Sequence, residues 1–198
     1  MSNSSETEIR TIPSQPEIDW FAAHSPDWMY PNKAPSAVYQ KGVLSRGECN
    51  RILEEMRLIE AYPFPGCAAV TTEYPRSLGG RCLRKAIEFS HRQNDFYWQF
   101  KIDEWAAWMQ EYKSGDRYQR HMDSGPGFSR KLTTVILLTP PGEYMGGDLV
   151  VYTPRPQMIP CDQGTIVTFP SWTHHEVLEV LQGHRETINL GFYGPPFK

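Results

Sequence analysis

The sequence predicts an α+β protein in which helices lead and a β-sandwich follows, and three observations carry that reading. At 198 residues the chain suits one ordinary domain with a continuous core. Near its start, Ser45-Arg46-Gly47-Glu48 has the spacing of a capping box, and Cys49, Ile52, Leu53 and Met56 follow at helical intervals. Beyond Gly115 the texture changes to short runs of β-branched and aromatic residues punctuated by Gly, Pro and Asp. Helices before strands suggest a sandwich with helices packed on its outside.

Residues 1–36 are rich in Ser, Glu and Pro, yet Trp20, Phe21, Trp28 and Tyr30 are costly to leave in water. A frayed start followed by an irregular segment docked on the body is expected. The capping box opens a helix predicted over 46–61, which Tyr62-Pro63-Phe64-Pro65-Gly66 stops because proline has no N–H to donate. Ile87-Glu88-Phe89 reads as a strand. Arg81, Arg84 and Lys85 before it can meet an acidic substrate or form a solvated basic patch. Phe96, Phe100, Trp105, Met109 and Tyr112 predict a second amphipathic helix over 94–112. Strands are expected at 132–138, 148–152, 164–169, 175–180 and 187–192, with no internal repeat.

Composition narrows the partners. Twenty Lys and Arg against 23 Asp and Glu give a formal charge of -3, so no broad basic field exists to hold phosphate backbones, and nucleic acid is not an expected partner. No apolar run approaches the roughly 20 residues of a membrane span, and the first residues lack signal-peptide character. A soluble, cytoplasmic protein with no membrane partner is expected. Cys49, Cys67, Cys82 and Cys161 are scattered, which suits reduced thiols.

The chemistry centres on His121-Met122-Asp123. In an extended segment, positions i and i+2 share a face, so one face offers an imidazole and a carboxylate together. Alone this is weak evidence, and a surface turn reads equally well. Downstream, Phe169-Pro170-Ser171-Trp172-Thr173-His174-His175 follows a predicted buried strand and can deliver another imidazole. Two histidines and one carboxylate leave metal positions open for co-substrate and O₂, whereas a closed structural site wants a fourth protein ligand.

The ordered string resembles the prolyl 4-hydroxylase-like branch of the 2-oxoglutarate/iron(II) oxygenases, over roughly residues 38 to 193. A lead-in with Tyr112, Gly115 and Tyr118 precedes His121 and Asp123. Arg130 then opens a β-rich run, Gly146-Gly147-Asp148-Leu149 makes a turn, and Gly164 opens the strand ending in Phe169-Pro170-Ser171. His175 and Arg185 complete the order. The resemblance implies a double-stranded β-helix, or jelly-roll, core for an oxygenase domain at 37–198 after the segment 1–36. It implies Fe(II) held by His121, Asp123 and His175, with 2-oxoglutarate and O₂ as co-substrates.

The family spacing selects His175 over His174, and adjacent strand residues face opposite sides. Read alone, Arg185 is a surface residue after the Gln182-Gly183 turn. By resemblance it binds the distal carboxylate of 2-oxoglutarate, a task suited to arginine's rigid fork. Thr187 and Asn189 alternate with it on one strand face, and Tyr112 is a further co-substrate donor. At the place where oxygen-sensing animal prolyl hydroxylases carry a co-substrate tyrosine, this chain has Leu137.

The implied reaction hydroxylates an amino acid, a peptidyl residue or a related small molecule, releasing succinate and CO₂. Related halogenases replace the carboxylate ligand with a small residue, so Asp123 favours hydroxylation. Asp123, as a ligand, is not counted as a general base, and no catalytic residue beyond the ligands is expected. Trp172 walls the pocket or simply packs. The alternatives are a cupin-like jelly-roll metalloenzyme without 2-oxoglutarate and a non-catalytic binding module of the same fold.

Overall fold

Twelve strands, two helices and one π-helical turn make up the described residues of the computed structural model, which are 34–58, 62–63, 70–73, 80–125, 129–152 and 156–196. The expectations for Trp20, Phe21, Trp28, Tyr30, Cys67 and the side chain of Arg81 lie outside them. In chain order the elements are β1 (Val38–Gln40), α1 (Arg46–Met56), β2 (Tyr62–Pro63), β3 (Val70–Glu73), α2 (Gly80–Gln93) and a π-turn (Asn94–Trp98). Then follow β4 (Glu104–Lys113), β5 (Tyr118–His121), β6 (Arg130–Leu137), β7 (Tyr144–Gly146), β8 (Leu149–Tyr152) and β9 (Pro156–Met158). The chain closes with β10 (Ile166–Pro170), β11 (His174–Val177) and β12 (Val180–Tyr193).

All described strand pairs are antiparallel. The larger sheet runs β1-β10-β6-β12-β4-β3-β2, with β7 also paired to β12, and the smaller runs β5-β11-β8-β9. The non-sequential order of two antiparallel sheets fits a jelly roll.

Two apolar clusters show why the layers stack. Val135, Leu137, Val167 and Phe169 from the larger sheet share one buried cluster with Leu149, Val151 and Val177 from the smaller. On the opposite face, Met109, Leu132, Ile136, Ile166, Ile188 and Leu190 join Cys49, Ile52, Leu53 and Met56 of α1 and Leu83, Ala86 and Phe89 of α2. The larger sheet is therefore apolar on both faces.

Helix α1 starts where its capping box places it. The Ser45 hydroxyl accepts from the Glu48 N–H, and the Glu48 carboxylate accepts from the Ser45 N–H at 2.9 Å. Lys85 on α2 reaches the same carboxylate at 2.8 Å, tying the two helices together.

Two elements differ from the sequence reading. Residues 87–89 lie inside α2, not in a strand, and Arg84 and Lys85 occupy its exposed face, away from the cleft. Leu83, Ala86 and Phe89 recur every three residues on the buried face, and the three-residue alternation at 87–89 was too short to outweigh that period. The helix expected over 94–112 is the π-turn, which ends at Gln99 with φ 55°, followed by β4. Ala107 and Met109 face the helices while Gln110 and Tyr112 face the smaller sheet, so both sides of β4 are buried and its polar alternation is lost.

Candidate active site

Strands β5 and β11 bring the two imidazoles together, because His121 and His175 are direct partners in the antiparallel register. Asp123 follows just beyond β5, and its N–H donates to the Ser171 carbonyl at 2.9 Å, fastening one ligand segment to the loop that carries the other. One ligand atom from each of His121, Asp123 and His175 lies within 4.8 Å of the others. His121 Nε2 is 3.6 Å from Asp123 Oδ1, and His175 Nε2 is 3.7 Å from Asp123 Oδ2.

The remaining nitrogens fix the tautomer. His121 Nδ1 donates to the Gln119 carbonyl at 2.8 Å and His175 Nδ1 to the Thr173 carbonyl at 3.0 Å. With the proton on Nδ1, each Nε2 turns its lone pair toward the space between the three side chains. Tyr118 stacks on the His121 ring at 3.8 Å, and Phe169 packs on His175 at 4.8 Å.

Electrostatics suit a cation. Burial pushes the Asp123 carboxyl up, but Arg130, His121, His175 and Thr133 together pull it well below the usual carboxylate range. Arg130 Nη1 lies 3.3 Å from Asp123 Oδ2, and the Thr133 hydroxyl donates to that oxygen at 2.5 Å. Burial lowers the His175 pKa to about 4 although Asp123 opposes it, so the imidazole is neutral and ligand-ready near pH 7. These residues fit a divalent ion.

His174 points elsewhere. Half-buried on β11, it is absent from both the ligand cluster and the cleft lining, and burial together with the Arg120 charge lowers its pKa. Trp172 packs edge to face on Phe100 at 5.2 Å and lies outside the cleft lining.

The cleft beside the ligands has a volume of about 370 Å³, and Tyr112, Arg185, Thr187 and Asn189 line it together with all three ligands. Arg185 is 2% exposed, with its guanidinium 5.2 Å from the ring of Tyr112, its register partner on β4. Its Nε and Nη1 are buried without a hydrogen-bond partner, as are Thr187 Oγ1 and Asn189 Oδ1. Leaving charged donors unsatisfied is expensive, and a carboxylate would satisfy them. The Tyr112 hydroxyl itself donates to Gln110 Oε1 at 2.8 Å, and Asn189 Nδ2 donates to the same oxygen at 2.8 Å.

Some neighbours of Arg185 are named by the sequence reading and others, Tyr144 among them, are not. Leu137 is buried in the apolar cluster between the sheets, and the phenol ring beside Arg185 is that of Tyr144 on β7, both side chains lying over Gly147. Burial raises the Tyr144 pKa against the opposing pull of Arg185. The half-buried Asp148 carboxyl is likewise raised by burial and drawn back by Arg185. Gly147, at φ +68°, lets the turn pass close to this arginine, since an added Cβ would lie 2.9 Å from Arg185 Cδ. Thr133 is visible in the sequence only as one β-branched residue in a β-rich run; a register irregularity against β12 beside Arg130 lets two residues three apart both reach Asp123.

Comparison with known proteins agrees with this geometry. The model of the 2OG-Fe(II) oxygenase superfamily matches residues 107–193. A PKHD-type hydroxylase of Parvibaculum lavamentivorans is 32% identical over 80 residues, covering 39% of this chain and 36% of that protein. The chain spans about a third of the length of the curated relatives it matches. Among solved structures, a Pseudomonas putida prolyl-4-hydroxylase superposes with TM-score 0.71 at 17% identity, covering 90% of this chain and 97% of that one. A Trichoplax adhaerens prolyl hydroxylase in complex with a hypoxia inducible factor peptide fragment gives TM-score 0.66 at 14% identity, covering 90% and 91%. The likeness to these structures shows a shared fold, and the sequence similarity to 2OG-Fe(II) oxygenases lies in residues 107–193, the part of the chain that carries His121, Asp123, His175 and Arg185.

Proposed function

We propose that the protein is an Fe(II)- and 2-oxoglutarate-dependent hydroxylase of a peptidyl residue, a free amino acid or a related small molecule. The observation that carries this reading is the pairing, in one cleft, of a two-histidine, one-carboxylate cluster with a buried arginine whose Nε and Nη1 lack partners. His121 Nε2, His175 Nε2 and one Asp123 oxygen hold the metal. Bound iron, with 2-oxoglutarate and O₂, supplies oxidising chemistry that yields succinate and CO₂ and adds oxygen to the substrate.

The chain's own residues bind and orient. Arg185 takes the distal carboxylate in its fork, with Thr187 Oγ1 beside it, and Tyr112 and Asn189 complete the polar wall. Val135, Leu149 and Val177 line the cleft between the sheets and limit water there. Thr133 and Arg130 keep Asp123 ionised and oriented. Prolyl peptides are the first substrates to try, because the solved relatives are prolyl hydroxylases, one of them bound to a peptide fragment.

We read 37–198 as one jelly-roll oxygenase domain with its helices as an outer layer and 1–36 as a preceding segment, in a soluble cytoplasmic protein. No described helix is long and apolar enough to cross a membrane.

The test is succinate formation from 2-oxoglutarate by protein reconstituted with Fe(II), with mass detection of one added oxygen on the substrate. Arg185→Ala is expected to raise the KM for 2-oxoglutarate by at least tenfold. Iron-dependent activity that needs no 2-oxoglutarate and survives Arg185→Ala would instead identify a cupin-like enzyme.

A further inference from the structure

Two of the three candidate ligands, His121 and Asp123, sit on or just beyond a thinly held strand. β5 stands at the edge of the smaller sheet, and among the described strands it pairs with β11 alone. Its register sets His121 opposite His175 and Tyr118 opposite Val177, with an irregularity between His175 and Val177. Such a bulge interrupts the ladder and lets the strand bend. On the cleft side, the bond from the Asp123 N–H to the Ser171 carbonyl fastens the segment after β5. On the other side, the strand is held by side chains on the outer face of the sheet.

Side chains alternate across a strand, so Arg120 beside His121 and Glu176 beside His175 turn away from the cleft. Tyr152 on β8 does the same, next to the inward-facing Val151. None of the three lines the cleft. The Arg120 guanidinium lies 3.9 Å from the centroid of the Tyr152 ring. Because β11 lies between β5 and β8, this contact reaches across a whole strand. The Tyr152 hydroxyl donates to Glu176 Oε1 on that intervening strand. Burial first, and the bond to Glu176 next, push the Tyr152 phenol up to about 12, so it stays a donor near neutral pH. Tyr152 is buried and its two partners are half-buried, which strengthens both contacts relative to open water. Three strands are thus stapled together directly behind the two imidazoles.

We propose that Arg120, Tyr152 and Glu176 are positioning residues: spanning β5, β11 and β8 on the outer face, they hold His121 and His175 at the separation that a single metal ion requires. They touch neither the ion nor the substrate. Arg120 and Glu176 are each the chain neighbour of a candidate ligand, so slack in the staple passes straight to the imidazoles. A clip that served stability alone would leave the metal affinity of the folded protein unchanged. This rests on the oxygenase reading above, and it adds the residues outside the cleft that fix the ligand geometry.

The test measures Mn(II) binding to the full chain by calorimetry, together with the visible spectrum of the Co(II)-loaded protein, which reports the ligand arrangement around the ion. Arg120→Met keeps the stem and removes the cation, and it is expected to weaken Mn(II) binding by about fivefold to thirtyfold and to alter the Co(II) spectrum. Tyr152→Phe keeps the ring under the guanidinium and loses only the bond to Glu176. It is expected to weaken Mn(II) by about threefold to tenfold, and it decides the matter if Arg120→Met does not fold. Arg120→Lys is expected to recover part of the affinity lost in Arg120→Met. Ser45→Ala, at the start of α1 on the far side of the larger sheet, lowers stability and is expected to leave both the affinity and the spectrum unchanged. Two results overturn the proposal. In one, the folded Arg120 and Tyr152 variants bind Mn(II) within about twofold of the unaltered protein and share its Co(II) spectrum, whatever their stability. In the other, Ser45→Ala weakens Mn(II) as much as they do. Failure of the unaltered protein to bind Mn(II) at all sinks the oxygenase reading itself, and the staple's role with it.

Discussion

At the scale of single residues, the three candidate ligands differ from their neighbours in what holds them. Both histidines are locked through Nδ1 to a backbone carbonyl two residues upstream, and Asp123 is gripped by Thr133 and Arg130. Asp123→Ala and His175→Ala are each expected to abolish 2-oxoglutarate turnover, while His174→Ala keeps most of it, as measured by succinate release. Loss at His174 with retention at His175 would overturn the assignment. Thr133→Val keeps the shape and removes the hydroxyl, and it is expected to weaken metal binding roughly tenfold to a hundredfold. Direct titration of Mn(II) into the apo-protein checks this. The ligand types and their order were legible in the chain, whereas the grip of Thr133 was not, because a hydroxyl in a strand looks the same whichever side chain it meets.

At the scale of elements, the start of α1 is the most local feature of the fold. Ser45→Ala is expected to cost about 1 kcal/mol in urea unfolding at neutral pH. Lys85 first, and then Ser45, hold the Glu48 carboxyl down to about 2, against a usual value near 4.5. A carboxyl depressed on folding stabilises at pH above its unfolded value, and that contribution fades as pH falls from about 4.5 through about 2. Unfolding curves from pH 6 to pH 2 are expected to show this loss in the native chain and a flatter profile in Glu48→Gln. The same scale shows where pattern reading stops. A capping box is local chemistry and survived intact, but β4 is covered by helices on one side and the smaller sheet on the other. Its aromatic spacing therefore fitted a helix as well as a strand.

At the scale of the whole molecule, the candidate ligands come from β5, β11 and the loop after β5 in the smaller sheet, while Arg185 stands on β12 in the larger. A metal held by the first group together with 2-oxoglutarate held by the second would tie the two sheets together. Binding to the folded state alone stabilises by about 2.7 kcal/mol at a hundred times the dissociation constant. The unfolding temperature is accordingly expected to rise by about 5–11 °C with Mn(II) plus 2-oxoglutarate at that saturation, exceeding the rise with Mn(II) alone. Asp123→Ala should remove both increments and Arg185→Ala only the second. Equal shifts with and without 2-oxoglutarate would argue against a shared site.

The residue types of the candidate ligand cluster, their order along the chain, the cap that begins α1 and the β-rich second half are all legible in the chain alone. These follow from short-range rules: side chains two apart share a strand face, and a serine and glutamate three apart close a helix start. That α2 runs through residues 87–89, that β4 is a strand and that Tyr144 stands beside Arg185 emerge from packing across the fold. Each of those outcomes depends on which strands become neighbours, and that is settled by burying apolar faces against one another across the whole chain.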